Sequence, residues 1–164
     1  MNNDPNGIPC YGADYPVVDA NGDVKFCPGG LFSHSRNSLL KVGNIFNETL
    51  ETIKKPANLN PIVQMLRLRG PSGLVQLLRN QSIKEGIPFI PPQLEEVRDL
   101  CSLCKYVITN PNNAKLLQCA IKNPEVYQEI ALARFKEFGE ISMFYEKYVY
   151  SGAERTADII VDTM

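Results

Sequence analysis

The sequence has little that suggests a polyanion or a membrane as its partner. Its 17 Lys and Arg residues nearly balance its 18 Asp and Glu residues, and both kinds are mixed along the chain. Nucleic acids and anionic membranes select basic patches, so neither is expected to bind. No apolar run approaches the roughly 20 residues that a membrane-spanning helix needs. The polar start Met1-Asn2-Asn3-Asp4-Pro5 lacks the basic and apolar parts of a signal peptide, which predicts a cytoplasmic protein.

Several catalytic signatures are absent as well. The chain has no phosphate-binding glycine loop, no hydrolase motif, no internal repeat and no low-complexity tract. Its single histidine, His34, lies in a polar stretch, where an exposed loop residue is a better interpretation than a metal ligand. The candidate chemistry of the chain therefore lies in its cysteines.

Four of the five cysteines form two pairs that are far apart in the sequence. Cys10 and Cys27 flank one segment, and Cys101 and Cys104 form a Cys-Ser-Leu-Cys. In a cytoplasmic protein, paired cysteines indicate a metal site more often than a disulfide. Two thiols three residues apart on a helix share a face, and a second pair completes four thiolates, which suit a zinc ion or an iron–sulfur cluster. The pattern predicts a metal site formed by these four residues.

The segment between the first two cysteines predicts a β-hairpin. Short β-prone runs lie on either side of Ala20-Asn21-Gly22, and Asn-Gly is typical of a type I′ turn. Such a hairpin folds Cys27 back towards Cys10. The following Pro28-Gly29-Gly30 predicts a sharp turn, and its two glycines are candidate N–H donors to a metal-bound sulfur.

The spacing of these residues also carries a family resemblance. Eleven residues separate Cys10 from Gly22, four separate Gly22 from Cys27, and Cys101-x-x-Cys104 follows later. Between the pairs lies Val42-Gly43-Asn44-Ile45. This arrangement resembles the auxiliary-cluster region, called SPASM or in its shorter form twitch, of radical S-adenosylmethionine enzymes. The resemblance covers about the first two-thirds of the chain.

The resemblance implies a cofactor, a partner and a role. The cofactor is one auxiliary [4Fe-4S] cluster, ligated by Cys10, Cys27, Cys101 and Cys104. This cluster binds substrate or passes an electron between the substrate and the radical cluster. The partner is a radical S-adenosylmethionine catalytic domain, in the same chain or in another one, and the substrate is a peptide or a small molecule.

Two departures from the family pattern limit this expectation. A full SPASM domain has two further cysteines, and Asn110 and Ala114 stand in their places, so a single cluster is expected. The radical-generating motif C-x3-C-x2-C is absent from the sequence. The chain is therefore interpreted as the C-terminal portion of such an enzyme, or as a protein that retains only that portion, and not as an enzyme by itself.

Alternatives to the cluster remain open. A structural zinc site in a binding module uses the same thiolates, although zinc ribbons usually place cysteines two to four residues apart, against sixteen between Cys10 and Cys27. A metal-free helical protein with incidental thiols is disfavoured by the joint presence of the hairpin and the Cys-x-x-Cys. Cys119, the fifth cysteine, lies in an apolar run and is predicted to be a small buried hydrophobe rather than a ligand.

Helical patterns dominate the rest of the chain. The predicted fold class is α+β and mostly helical, with a small N-terminal hairpin unit followed by α-helices. The helices are predicted from an Asn47 cap to a stop at Pro56, over 61–69 and 72–80 on either side of Gly70-Pro71, from Gln93 to about Ile108, over 113–122, and from Asn123-Pro124 to Ser151-Gly152. Residues 1–109 are assigned to the twitch-like cluster-binding domain and residues 110–164 to a helical C-terminal extension.

Overall fold

The computed structural model describes residues 7–27 and 39–138, without the side chains of residues 55–57, 94, 137 and 138. This part of the chain is α+β and mostly helical, as predicted. The strands are β1 (Val17–Val18), β2 (Asp23–Lys25) and β3 (Lys41–Asn44), and the helices are α1 (Leu50–Leu59), α2 (Pro61–Glu85), α3 (Leu100–Thr109), α4 (Pro111–Lys122) and α5 (Pro124–Phe138). Short 3₁₀ turns cover Tyr11–Asp14 and Leu94–Glu96. The predictions for His34, for Pro28-Gly29-Gly30 and for the last helix beyond Phe138 lie outside the described residues.

The predicted hairpin is present, but its turn is not the predicted type I′. β1 and β2 pair antiparallel, and the carbonyl of Asp19 accepts the N–H of Gly22 at 2.9 Å to close the loop. Within the loop, only Gly22 has a positive φ, of 79°. A type I′ turn needs positive φ at both central residues, and Asn21 does not provide it. The N–H of Asp19 donates to the carbonyl of Asp23 at 3.0 Å, so Ala20-Asn21-Gly22 form a three-residue loop with glycine in the left-handed position.

β3 is an element that the sequence pattern did not predict. It pairs antiparallel with β2, so the sheet has the order β1-β2-β3. The side-chain amide of Asn44 donates to the carbonyl of Asn21 and to a carboxylate oxygen of Asp23, both at 2.8 Å. Lys41 Nζ lies 2.8 Å from the same oxygen of Asp23. These contacts join residues that are far apart in the sequence. They accompany the pairing of β3, whose own sequence lacks a regular alternation of apolar and polar residues.

α1 begins and ends later than predicted. Its first turn is capped by Thr49 and not by Asn47, because Thr49 Oγ1 accepts the N–H of Thr52 at 3.3 Å. Asn47 lies in the turn that follows β3. The predicted stop at Pro56 is wrong, since α1 continues to Leu59 with the proline inside it. A proline removes one backbone donor, and the last turn of α1 tolerates this loss.

The two predicted segments around Gly70-Pro71 form one helix of 25 residues, α2, with a kink between them. Asn60 caps its start, since Asn60 Oδ1 accepts the N–H groups of Ile62 at 2.9 Å and of Val63 at 3.3 Å. At Gly70 the backbone leaves the helical region, with φ 59° and ψ −159°. Pro71 has no N–H to restore the ladder there.

α3 begins at Leu100 and not at the predicted Gln93. The cause is a capping box, in which Asp99 Oδ1 accepts the N–H of Ser102 at 2.7 Å and Ser102 Oγ accepts the N–H of Asp99 at 3.0 Å. α4 begins at Pro111 instead of residue 113, and α5 begins at Pro124 as predicted. Within the described part of the chain, no helix combines the length and the apolar character needed to cross a membrane.

α2 is the central element of the core, because α1, α3, α4, α5 and the 3₁₀ turn Tyr11–Asp14 all pack against it. The fully buried side chains include Leu66, Leu74, Leu78, Leu116, Leu117 and Ile130. These residues belong to one hydrophobic cluster. Its members come from both sides of the boundary proposed between residues 109 and 110, and that boundary stays a prediction.

Candidate metal centre

The four cysteines of the predicted site line one cavity of about 200 Å³. Its wall consists of Ile8, Pro9, Cys10, Cys27, Pro71, Leu100, Cys101 and Cys104. A single water needs a cavity of about 10–15 Å³, so this space admits a group of several atoms. Cys119 does not line the cavity, and it is half-buried on α4 rather than fully buried.

Cys10 is held by the kink in α2. Its N–H donates to the carbonyl of Leu66 at 2.9 Å. Leu66 lies in the turn of α2 that precedes the kink at Gly70. The carbonyl of Cys10 in turn accepts the N–H of Ala13 at 3.0 Å. The backbone of Cys10 is thus fixed at both its donor and its acceptor.

Cys27 follows β2 and is positioned through its neighbour Phe26. The Phe26 ring centroid lies 5.1 Å from the guanidinium carbon of Arg67, on α2. Arg67 Nε also donates to the carbonyl of Ala13 at 3.1 Å. Arg67 therefore ties the residues before Cys27 and those after Cys10 to the same turn of α2. The hairpin and the helix together bring the first pair of cysteines to one place.

α3 supplies the second pair of cysteines. Cys101 lies in the first turn of the helix and is exposed, whereas Cys104 lies one turn further and is 6% exposed. The Asp99 capping box fixes the start of the helix beside them.

Burial raises the pKa of the Cys104 thiol far above its ordinary value. The nearby sulfurs of Cys27, Cys10 and Cys101 raise this pKa further, in that order. Since adjacent thiolates repel one another, the metal-free pocket keeps the Cys104 thiol protonated. A bound cation reverses this balance, because a metal deprotonates the thiols that coordinate it.

The donor atoms of the cavity are sulfurs, since its other lining residues are isoleucine, proline and leucine. Thiolate donors select zinc, copper(I) or an iron–sulfur cluster over hard cations. Within residues 7–27 and 39–138, no group of three or more His, Cys, Asp or Glu side chains is arranged to hold a metal ion.

The sequence pattern pointed to the sulfurs but not to the rest of the wall. Ile8 and Pro9 directly precede Cys10, and Leu100 directly precedes Cys101, so their presence in the wall follows from chain continuity. Pro71 is different, because it reaches the cavity from the middle of α2. Gly70-Pro71 was a visible signal for a break in the helix. This dipeptide did not indicate which distant segment would contact the break.

Comparisons with protein-family models, with curated proteins and with solved structures found no match to this chain. The functional interpretation therefore depends on the residues and their placement. The resemblance in cysteine spacing stays a prediction.

Proposed function

We propose that this chain is an auxiliary-cluster domain, which holds one [4Fe-4S] cluster in the cavity lined by Cys10, Cys27, Cys101 and Cys104. The observation that supports this most directly is that these four thiols line one cavity although they come from three separate parts of the chain. Four thiolates are the usual ligands of a cubane cluster.

The size of the cavity favours a cluster over a single zinc ion. A structural zinc site is a closed tetrahedron with Zn–S distances of about 2.3 Å, which leaves little open space between its sulfurs. The cavity of about 200 Å³ has room for the iron and sulfide core of a cluster. Its apolar lining limits the access of water to such a core, which is one of the ways in which proteins adjust a cluster's potential.

The cysteine spacing supports a role beside a radical S-adenosylmethionine catalytic domain, in the same chain or in another one. In that role the cluster binds a peptide or small-molecule substrate, or transfers an electron to or from it. Cys101 and Ile8 both line the cavity and are exposed, Ile8 by 65%, so the site is open to solvent at these residues. Cys104 belongs to the hydrophobic cluster, so the core closes the site there. A cytoplasmic location, where thiols stay reduced, suits this function.

Anaerobic reconstitution with iron and sulfide tests the proposal. The expected result is a brown protein with iron and labile sulfide in the ratio of one [4Fe-4S] cluster per chain, and a matching electron paramagnetic resonance signal after reduction. Single alanine variants at each of the four lining cysteines should lose the cluster or hold it unstably. Cys119→Ala is the matched control and should retain full iron content. A colourless protein with stoichiometric zinc would instead establish the zinc-binding module.

The need for a separate catalytic domain has its own test. The reconstituted chain, incubated with S-adenosylmethionine and dithionite, should form no 5′-deoxyadenosine above background, because the sequence lacks C-x3-C-x2-C. The control is the same assay with a known radical S-adenosylmethionine enzyme. Formation of 5′-deoxyadenosine by this chain, and its loss in Cys101→Ala, would show that the cavity holds a radical-generating cluster.

A further inference from the structure

We infer that Gly70, at the kink of α2, is a positioning residue for Cys10 and hence for the cluster, an inference that rests on the proposed function. Gly70 does not line the cavity. Its influence passes through the backbone of residues 7–10, which lies against the kink. This segment approaches the kink closely, and the N–H of Cys10 donates to the carbonyl of Leu66 just before it.

The backbone conformation at Gly70 is one that only glycine adopts readily. Its φ of 59° with ψ of −159° lies in a region that is essentially closed to residues with a Cβ atom. Pro71 provides no N–H to continue the helical ladder past the kink. The carbonyl of Leu66, in the turn before the kink, accepts the N–H of Cys10 at 2.9 Å.

The two segments meet backbone to backbone, with no room for a side chain between them. A Cβ atom at Gly70 would lie 2.0 Å from the carbonyl oxygen of Ile8 and 3.7 Å from the amide nitrogen of Cys10. On the facing segment, a Cβ atom at Gly7 would lie 2.3 Å from the carbonyl oxygen of Arg69. The distances of 2.0 Å and 2.3 Å to the two carbonyl oxygens are far below the contact distance of non-bonded atoms, so a side chain at either glycine must push the segments apart.

The same kink also supplies part of the cavity wall, because Pro71 follows Gly70 and lines the cavity. A side chain at Gly70 therefore displaces Cys10 and disturbs the wall beside it. Moving one ligand of four weakens the hold on a cluster without removing a thiolate. The kink therefore contributes to the geometry of the site, in addition to separating two helical segments.

The test compares Gly70→Ala with Gly86→Ala in the full chain. Gly86, at the end of the same helix, also has a positive φ, of 65°, but a Cβ atom there meets nothing within 4 Å, so this control replaces a glycine of positive φ without creating the contact. In the metal-free protein, amide hydrogen exchange at Cys10 should be roughly fivefold to tenfold faster in Gly70→Ala, as expected for the loss of one hydrogen bond. Gly86→Ala should leave it unchanged.

The reconstituted protein provides the second measurement. Gly70→Ala should lose its cluster to a chelator roughly 10–100-fold faster than the wild-type protein, the range usual for residues that support a ligand. The double variant Gly70→Ala/Cys10→Ala should be no worse than Cys10→Ala alone, because both changes act through one ligand. A general structural defect would instead add to the effect of Cys10→Ala and would overturn the inference.

If Gly70→Ala does not fold, Gly7→Ala replaces it in the test. A side chain at Gly7 displaces the same segment and leaves the backbone of the kink unchanged. Unchanged exchange at Cys10 in the folded variant contradicts the inference. If the wild-type protein takes up no cluster, the proposed function fails, and the exchange measurement on metal-free protein still decides whether Gly70 positions Cys10.

Discussion

Cys101 and Cys104 lie three residues apart on one helix and have different surroundings. Cys101 is exposed, and Cys104 is 6% exposed with a raised pKa. One helical turn separates them, so Cys101 lies at the exposed rim of the cavity and Cys104 lies at its buried base. The cavity is therefore open to solvent at Cys101 and closed by the core at Cys104.

This difference predicts the order in which the thiols react in the reduced, metal-free protein. Iodoacetamide reacts with thiolates, and a rise of one pKa unit lowers the thiolate fraction about tenfold. Cys101 should therefore be alkylated first, and Cys104 at least about tenfold more slowly, as measured by peptide mass spectrometry over time. In urea the two rates should converge. Equal rates in the folded protein would contradict the burial of Cys104.

At the scale of residues, the sequence predicted which thiols lie together. The spacing of Cys10, Gly22, Cys27 and the Cys-x-x-Cys selected the four thiols that line the cavity. The remaining wall depends on contacts between segments that are distant in sequence, such as Pro71 with Cys10. Neither composition nor periodicity encodes those contacts. Cys119 shows the same limit, because its apolar neighbours in sequence predicted a more complete burial than α4 provides.

The sheet combines two ion pairs at its hairpin end. Lys25, which is 4% exposed, places Nζ 3.0 Å from Asp19 Oδ2, and Lys41 Nζ lies 2.8 Å from Asp23 Oδ1. The hydrogen bond from Lys25 lowers the pKa of Asp19, and that from Lys41 lowers the pKa of Asp23. Asn44 lowers the pKa of Asp23 further, because its amide donates to the same carboxylate.

These pairs predict a sheet that weakens in acid. Because the folded-state pKa of Asp23 lies below its ordinary value of 3.8, the pairing stabilises the folded state above that pH. The contribution is lost as the pH falls through the folded-state pKa. Asp23→Asn should therefore destabilise the protein near neutral pH and flatten the further loss of stability below about pH 4, measured by urea unfolding across the pH range. The control Glu51→Gln, on the exposed face of α1, should retain the wild-type profile.

At the scale of elements, the apolar periodicity predicted the positions of most helices, whereas side-chain caps and packing decided their ends. Asp99 and Ser102 form the capping box that starts α3, and the apolar spacing of the preceding residues concealed that signal. Pro56 did not end α1, because the packing of the rest of the helix outweighs the loss of one backbone hydrogen bond at the proline. β3 was missed since its pairing depends on Asn44 and Lys41 contacting residues of the hairpin, and such contacts leave no periodic pattern.

At the scale of the whole molecule, most of the buried apolar residues of segments 7–27 and 39–138 form one hydrophobic cluster, with α2 at its centre. α4 and α5 pack on α2, and α3 packs on both α2 and α4. Leu116 of α4 has no exposed surface and belongs to the same cluster as Cys104 and Leu66. The core that closes the base of the cavity is therefore continuous with the core that holds α4. A loss of packing at α4 should therefore also loosen the packing around Cys104.

Leu116→Ala tests whether the two regions unfold together. Removing a fully buried leucine side chain leaves a cavity and should lower the free energy of unfolding by about 2–5 kcal/mol. If the core is continuous, the urea transition of helical circular dichroism and the exposure of Cys104 to alkylation should shift to lower urea by the same amount. Lys115→Ala, at the exposed neighbouring position, is the matched control and should shift neither transition. A variant that loses helix at low urea while Cys104 stays protected would show that α4 belongs to a separate extension, as the boundary at residues 109 and 110 predicts.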